Sequence, residues 1–330
     1  MAGRSAAATH ARTRGKAVRV LIVGAGALGS VFGCLLRDRG HEVGFVEPGE
    51  RLEDIRARGL TVTGLFGEHR AGGFELYSSA DQVPAGAHEL VLITVKSFHT
   101  REAVGQIAPK VGEDALVLSL QNGLGNYEAI REQVGEHRAL AGRVIFGAQI
   151  VEPAHAKVTV YAEPVMVGSP SNAVEMSRIE EIARAFSDAG IPSEPTREIT
   201  KFIWAKILYN CALNPLSALL NVPYGRLLDT EATRGLMRRV VEEVFAVARA
   251  SHVELFWEKP EDYIEVFFGR LIRDTAAHFA SMAQDLQAGR RTEIDALNGA
   301  VVRLGEEACV ECPVNAVLVE LVRAAEGLST

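Results

Sequence analysis

Residues 18–47, VRVLIVGAGALGSVFGCLLRDRGHEVGFVE, give the strongest indication of the fold. Val18–Val23 is a short β-branched run of the kind that forms a buried strand. Ala27–Arg39 has the apolar spacing of a helix, which Gly40 can end, and Glu42–Glu47 has the pattern of a second strand. Because a strand, a helix and a strand follow one another within about 30 residues, the stretch predicts a βαβ crossover.

The turn between the first strand and the helix carries a G-x-G-x-x-G sequence, formed by Gly24, Ala25, Gly26, Ala27, Leu28 and Gly29. In this context Gly24 permits a tight turn, Gly26 lets the backbone approach a pyrophosphate, and Gly29 allows close packing of helix on strand. The start of the helix adds N–H groups and the positive end of its dipole. The loop therefore predicts a dinucleotide-binding site, and a glycine-rich turn without a ligand is the alternative.

Three polar residues follow predicted strands. Glu47 ends the second strand, Lys96 follows the run Leu90–Val95, and Asn122 comes soon after Ala115–Leu120. The carboxyl ends of parallel strands share one edge, where open α/β sheets bind their ligands. We therefore expect these residues to lie beside the glycine loop in a crevice for cofactor and substrate. Ordinary loop residues are the alternative.

Glu47 bears on the choice of cofactor. A carboxylate at the end of the second strand accepts hydrogen bonds from the ribose 2′-OH of NAD and repels the 2′-phosphate of NADP. Arg51, four residues further on, is close enough to offset that repulsion. The position of Glu47 therefore predicts a ribose contact, with a solvated strand end as the alternative.

The rest of the chain divides into an α/β half and a helical half. Helical patterns at Thr100–Ile107 and Tyr127–Val134 alternate with strands, which predicts a parallel, doubly wound sheet. Val158–Tyr161 and Val165–Val167 look like short strands near prolines, and almost only amphipathic helices follow from Ile199. We predict a disordered tail at residues 1–17, a Rossmann-type domain at 18–195 and an all-helical domain at 196–330.

Composition excludes several classes of protein. Lys and Arg number 35 against 42 Asp and Glu, so the net charge is −7, whereas a nonspecific nucleic-acid binder needs a concentrated basic surface. No apolar run approaches the roughly 20 residues that span a bilayer. Four cysteines are too few for a disulfide scaffold, and we expect a cytoplasmic protein. For the lone C-x-x-C of Cys309 and Cys312 we favour packing, and no metal site is predicted.

The segment TKFIWAKILYNCALNPLSALLNVPYG, residues 200–225, carries a polar stripe in apolar surroundings. Lys206, Asn210 and Asn214 are spaced four apart, so they drift only about 80° around a helix. Burying such groups without partners is unfavourable. A solvent-facing stripe is the alternative, but this one has no acidic residue, and we favour a functional stripe. Pro215 also predicts a break in the helical hydrogen bonding.

The segment SMAQDLQAGRRTEIDALN, residues 281–298, contains two patterns typical of helix starts. Ser281 opens one capping-box pattern and Thr292 opens a similar one. On pattern alone, Ser281 is a helix cap and Glu293 is a solvated carboxylate in a first turn.

Five pieces of the sequence together resemble the ketopantoate reductase family. They are GAGALGS at 24–30, VK at 95–96, QNGLG at 121–125, AKILYNCALNPLSALL at 205–220 and SMAQDLQAGRRTEID at 281–295. They occur in the family's order over nearly the whole chain from Val18. The resemblance implies a Rossmann domain, a helical domain and an active site in the cleft between them. It also implies reduction of ketopantoate to pantoate with NADPH, on the route to pantothenate and coenzyme A.

The resemblance assigns a role to each matched residue. Lys206 is implied as the general acid, because a positioned ammonium can stabilise and protonate the oxygen of a ketone that accepts a hydride. The implied substrate ligands are Asn122, Asn210, Asn214 and Ser281. The implied residues of the cofactor side, besides the glycine loop, are Lys96, Asn122 and Glu293. A homodimer is a further implication.

Three departures from the family pattern affect cofactor and substrate. Members that use NADPH often have an arginine after the second strand, where this chain has Glu47-Pro48, so NAD(H) stands beside NADP(H). Tyr224 occupies a position where the family can have a substrate-binding asparagine, and His252–His278 resembles a longer helical insertion. The leading hypothesis is reduction of ketopantoate. Reduction of another small 2-oxo acid and a dinucleotide-binding regulator without turnover are the alternatives.

Overall fold

The computed structural model describes residues 16–328. The predicted disordered tail therefore lies outside the described residues, apart from Lys16 and Ala17. Strands and helices alternate up to Pro195, and helices follow from Ile199.

Within residues 16–328, ten strands form a single sheet. They are β1 Arg19–Val23, β2 Glu42–Val46, β3 Leu60–Gly64, β4 His69–Ala71, β5 Glu75–Tyr77, β6 Leu90–Ile93, β7 Leu116–Ser119, β8 Ala139–Glu152, β9 His155–Gly168 and β10 Ser193–Pro195. The spatial order is β4-β3-β9-β8-β7-β6-β1-β2-β5, and β10 pairs with β9. From β5 to the start of β8 neighbouring strands run parallel, which confirms the Rossmann-type core.

The sheet is not parallel throughout, because β8 and β9 form a long antiparallel hairpin on one side. The two short strands predicted at Val158–Tyr161 and Val165–Val167 are parts of the single strand β9. Pro164, between them, lies at a register shift of the hairpin. A bulge tolerates a residue without an N–H, so this proline does not end the strand.

Five helices of the described chain accompany the sheet: α1 Ala27–Asp38, α2 Glu50–Arg58, α3 Thr100–Ile107, α4 Asn126–Val134 and α5 Met176–Asp188. On one face, Phe32 of α1 meets Phe186 of α5 edge-on, with 4.9 Å between ring centroids. On the other face, Val104 of α3 and Ile130 of α4 are buried against Val117 of β7. Helices on both faces explain why the central strands are almost entirely apolar.

The helical half is built around α6, Ile199–Leu220. Its other helices in the described chain are α7 Glu231–Ala250, α8 Pro260–Val266, α9 Ile272–Asp274, α10 Ser281–Gln287, α11 Asn298–Glu307 and α12 Pro313–Leu328. The helices α7, α10 and α12 pack against α6 and bury its apolar side chains. The break predicted at Pro215 does not end the helix, which continues through it to Leu220.

The helical insertion predicted at His252–His278 is only partly helical. It contains α8, a π-helical turn at Phe267–Leu271 and the short α9. Tyr263 and Phe267 stack at 5.3 Å inside the core of the helical half, so these two rings of the segment stabilise that core.

The predicted packing of the C-x-x-C pair holds for one of its cysteines. Cys312 is buried in the helical core, whereas Cys309 is exposed, and both are free thiols. Across residues 16–328, no helix combines the length and apolar character needed to cross a bilayer.

Candidate active site

The glycine loop joins β1 to α1 at the carboxyl edge of the sheet. Gly24 has φ +107°, which favours glycine, and a Cβ there would lie 2.8 Å from the backbone nitrogen of Val95. A Cβ on Gly29 would lie 2.1 Å from the carbonyl oxygen of Gly24, whereas one on Gly26 would meet no described atom within 4 Å. The loop needs two glycines for its own packing and leaves open space at the third. This cradle at a helix start fits a pyrophosphate.

Glu47 lies beside the glycine loop, directly after β2. Its Oε2 accepts a hydrogen bond from the backbone N–H of Ala25 at 2.6 Å, and its Oε1 pairs with Nη1 of Arg51 at 3.2 Å. The side chain is 12% exposed, so the alternative of a solvated strand end is wrong. The contact between Glu47 and a ribose stays a prediction.

Lys206 reaches from α6 to the sheet domain. Its Nζ donates hydrogen bonds to Oδ1 of Asn122 at 2.6 Å and to the carbonyl oxygen of Val144 at 2.5 Å. The residue as a whole keeps partial exposure, but its ammonium end is enclosed by protein. Burial and then the positive charge of Arg143 lower the pKa of Lys206 to about 7, while Glu293 acts in the opposite direction. An amine with this pKa exchanges its proton readily near neutral pH.

The other two members of the predicted stripe are buried. Asn210 is 7% exposed and Asn214 is 4% exposed, so the solvent-facing alternative is wrong. The hydroxyl of Tyr224 donates to Oδ1 of Asn214 at 2.6 Å, which leaves the amide N–H groups of Asn214 for another partner. Tyr224 also packs edge-on against Tyr209 and His278. Tyr224, which stands where the family can have an asparagine, is therefore part of an aromatic cluster next to Asn214.

Two carboxylates of the helical half contact the sheet domain. Oε1 of Glu293 accepts from the backbone N–H of Ser97 at 2.9 Å, and Oε2 lies 3.5 Å from Nδ2 of Asn122. Nζ of Lys96 donates to Oδ2 of Asp285 at 2.6 Å and lies 3.9 Å from Oε2 of Glu293. Glu293 is 9% exposed, so the alternative of a solvated carboxylate is wrong. These contacts bring Lys96, Asn122 and Glu293 together.

Ser281 opens α10 but does not cap it. The residue at the N-cap position is Ala280, without a side-chain cap bond, so the capping-box interpretation is wrong. Ser281 instead lines a narrow crevice with Asn122, Asn214, Met282, Asp285, Glu293 and Leu297. Asn210 does not line this crevice. The crevice leaves no room for a water molecule.

Two charged residues of the site were missed by the sequence reasoning. Asp285 lies four residues after Ser281, so helical spacing could have placed both on one face of α10. Arg143 in β8 is 4% exposed, and its Nη1 donates to Oε2 of Glu163 at 2.6 Å. Its only signal was an arginine in an otherwise apolar run, which does not reveal its partners. Across residues 16–328, no group of three or more His, Cys, Asp or Glu side chains is arranged to hold a metal ion.

The glycine loop, the polar sheet edge and the enclosed lysine in a cleft between two domains define a class of protein. They are the features of an oxidoreductase that combines a dinucleotide-binding Rossmann domain with a helical domain.

Comparisons with known proteins narrow that class. The family described as Ketopantoate reductase PanE/ApbA matches residues 20–172, and its C-terminal part matches residues 198–326. The chain belongs to this family. A 2-dehydropantoate 2-reductase of Aquifex aeolicus is 38% identical over 309 residues, which cover 94% of this chain and 97% of that protein.

Two solved structures resemble the whole chain. A PanE/ApbA family ketopantoate reductase from Ralstonia eutropha JMP134 has a TM-score of 0.84 at 33% identity, covering 94% of this chain and 99% of that one. A D-mandelate dehydrogenase, in a ternary structure with NADH and anilino(oxo)acetate, has a TM-score of 0.85 at 26% identity with the same coverage. The fold thus occurs in relatives with different named substrates.

Proposed function

We propose that this protein reduces 2-dehydropantoate to (R)-pantoate with a nicotinamide dinucleotide, as a step towards pantothenate. The observation that carries the proposal is the ammonium of Lys206, held by Asn122 and Val144 at the cleft. The 38% identity to a 2-dehydropantoate 2-reductase supports the choice of substrate.

Lys206 is proposed as the general acid. The cofactor, when bound, supplies the hydride that adds to the carbonyl carbon of the substrate. An ammonium has three N–H groups, and the acceptors on Asn122 and Val144 engage two of them, which leaves one for the substrate oxygen. This N–H stabilises the charge that develops on the oxygen and then transfers its proton.

The pKa of Lys206 predicts the pH dependence of the reduction. Only the protonated form can act as an acid, and its pKa is lowered to about 7. Reduction is therefore expected to decline as the pH rises through about 7.

The substrate carboxylate is proposed to bind to neutral donors. The amide N–H groups of Asn214 point away from the oxygen that Tyr224 occupies, and the hydroxyl of Ser281 lines the same crevice. Such donors orient an anion without adding a charge that competes with Lys206 for it.

The proposed cofactor is NADH rather than the NADPH implied by the family resemblance. Glu47 holds a carboxylate beside the glycine loop, where it would repel a 2′-phosphate. The D-mandelate dehydrogenase that resembles this chain is a complex with NADH, which supports the same choice.

A second candidate is reduction of a 2-oxo acid with an aromatic substituent. It is favoured by the cluster of Tyr224, Tyr209 and His278 behind Asn214, and by the similarity to a D-mandelate dehydrogenase.

The test is absorbance at 340 nm with purified protein, running NADH and NADPH in parallel against 2-dehydropantoate and against phenylglyoxylate. We expect oxidation with 2-dehydropantoate, faster with NADH. If only phenylglyoxylate is turned over, the second candidate function is correct and 2-dehydropantoate is not the substrate. No oxidation under any condition, with well-folded protein, would overturn both.

A further inference from the structure

Arg143 is a buried cation whose partners satisfy it only in part. Its side chain is 3% exposed, whereas that of its ion-pair partner Glu163 is 56% exposed. Nε of Arg143 has no hydrogen-bond partner among the described residues. Burying a guanidinium with an unpaired N–H is unfavourable for folding. A buried group that costs stability calls for a reason beyond packing.

The position of Arg143 relative to Lys206 suggests that reason. Arg143 directly precedes Val144, whose carbonyl oxygen accepts a hydrogen bond from Lys206. The guanidinium also lies 5.0 Å from the ring centroid of Phe202. Because Phe202 and Lys206 are four residues apart on α6, they share one face of the helix. One face of α6 therefore contacts the same short part of β8 at both points.

A cavity joins the two cations. It measures about 70 Å³ and is lined by both Arg143 and Lys206, together with Gly125 and Trp204 among others. Arg143 and Lys206 therefore border a common space.

We infer that Arg143 and Glu163 form a charged pair that holds the Lys206 ammonium ready to release its proton. Arg143 is thus a positioning residue that acts through Lys206, and the inference rests on the proposed role of Lys206 as general acid. The positive charge of Arg143 disfavours a second positive charge nearby, and Glu163 moderates that effect by neutralising part of it.

The other charges around Lys206 do not replace this pair. Glu293, on the cleft side, favours the ammonium form of Lys206. Its own charge is shared with Lys96, which lies 3.9 Å away and also pairs with Asp285. Lys206 therefore has a cation on the strand side and a carboxylate on the cleft side. The pKa of Lys206 is nevertheless lowered, in the direction set by burial and Arg143.

The experiment measures the titration of Lys206 directly, by NMR of protein labelled with ¹³C and ¹⁵N in its lysines. The Lys206 signal is assigned by its absence from the Lys206→Arg variant. Titrations are then compared for the wild type, Arg143→Met, Arg143→Lys and Glu163→Gln. Glu152→Gln, on the exposed far end of the same hairpin, is the matched control.

The two charge-removing variants are expected to shift the Lys206 midpoint in opposite directions. Arg143→Met should raise it by about one pH unit, since a like charge that disfavours the ammonium form is lost. Glu163→Gln should lower it, because the charge of Arg143 is then unopposed. Arg143→Lys, which keeps the positive charge, and Glu152→Gln should leave it near the wild-type value. Shifts in one common direction, or no shift in either charge-removing variant, would overturn the inference.

If the protein turns over a substrate, the pH dependence of kcat provides a second measurement on the same variants. The alkaline limb of kcat against pH should move with the NMR midpoint in each variant, which a purely structural role of Arg143 would not produce. The two hypotheses can fail separately. A protein without turnover contradicts the proposed function, whereas the NMR titration still tests the pair.

Discussion

The nucleotide end and the catalytic end of this molecule differ in how far their contacts reach along the chain. At the nucleotide end, Glu47 binds the backbone of Ala25, only 22 residues away. At the catalytic end, Lys206 binds Asn122 across 84 residues, and Glu293 binds Ser97 across 196. The first site lies within the sheet domain, where Thr94 also hydrogen-bonds the carbonyl oxygen of Gly24. The second exists only where the two halves of the chain meet.

Because of this difference, cofactor binding and the proposed proton transfer depend on different parts of the fold. The glycine loop makes its contacts with β2 and with Thr94 and Val95 after β6, all within the sheet domain. Lys206, the proposed acid, is by contrast oriented only when α6 lies against β8. Substitutions at the nucleotide end should therefore change cofactor affinity, and substitutions at the catalytic end should change the rate.

The largest expected effect is that of Lys206→Ala. Removing a positioned acid should lower kcat by about 10²–10⁴, while the dissociation constant for the cofactor stays near the wild-type value. Turnover is measured at 340 nm and binding by calorimetry. The control is Lys201→Ala. Lys201 lies on the same helix but pairs with Glu198 and Glu254 and makes no contact with Asn122 or Val144. Near-normal turnover of Lys206→Ala would remove the acid from the mechanism and favour the regulator hypothesis.

A smaller effect should distinguish two glycines of the same loop. Gly29→Ala places a Cβ 2.1 Å from the carbonyl oxygen of Gly24, so it should destabilise the fold by about 1–3 kcal/mol or more and lower Tm. In Gly26→Ala the new Cβ meets no described atom within 4 Å, so Tm should hold while the cofactor binds more weakly. Thermal unfolding and calorimetry on both variants check this. Equal losses of Tm would show that the loop does not separate packing from binding.

The smallest effect concerns the choice between the two dinucleotides. Glu47→Ala removes the carboxylate and frees Arg51, so the ratio of kcat/KM for NADPH to that for NADH should rise, by about tenfold if one charge contact of roughly 1.4 kcal/mol is involved. Glu50→Ala, exposed on α2, is the control. An unchanged ratio in Glu47→Ala would mean that Glu47 does not contact the ribose.

The same contrast explains how much of the fold could be predicted. The βαβ unit is encoded by local patterns, and β1, α1 and β2 lie within one or two residues of their predicted bounds. The hairpin of β8 and β9 was not recognised, because Pro164 resembles a strand end when the register shift opposite it is unknown. Pairing between strands depends on the partner, which a single run of residues does not reveal.

The sequence could name candidate site residues, but it could not predict how they are arranged. Helical spacing placed Lys206 and Asn214 on one stripe, and both now lie in the cleft region. The resemblance pointed to Glu293, while its bond to Ser97 depends on how the domains meet. Arg143 could not be found, since its significance comes from Val144 and Glu163, which the sequence does not place beside Lys206.

The hydrogen bond from Lys206 to the carbonyl oxygen of Val144 joins the two halves of the chain, so the order in which the ribosome makes them matters. A ribosome releases β8 and the rest of the sheet, down to Pro195, before it releases α6. N-terminal domains generally fold first during synthesis. A nascent or prematurely terminated chain would therefore display the glycine loop without Lys206. Such a fragment could sequester cofactor, but it could not catalyse its consumption.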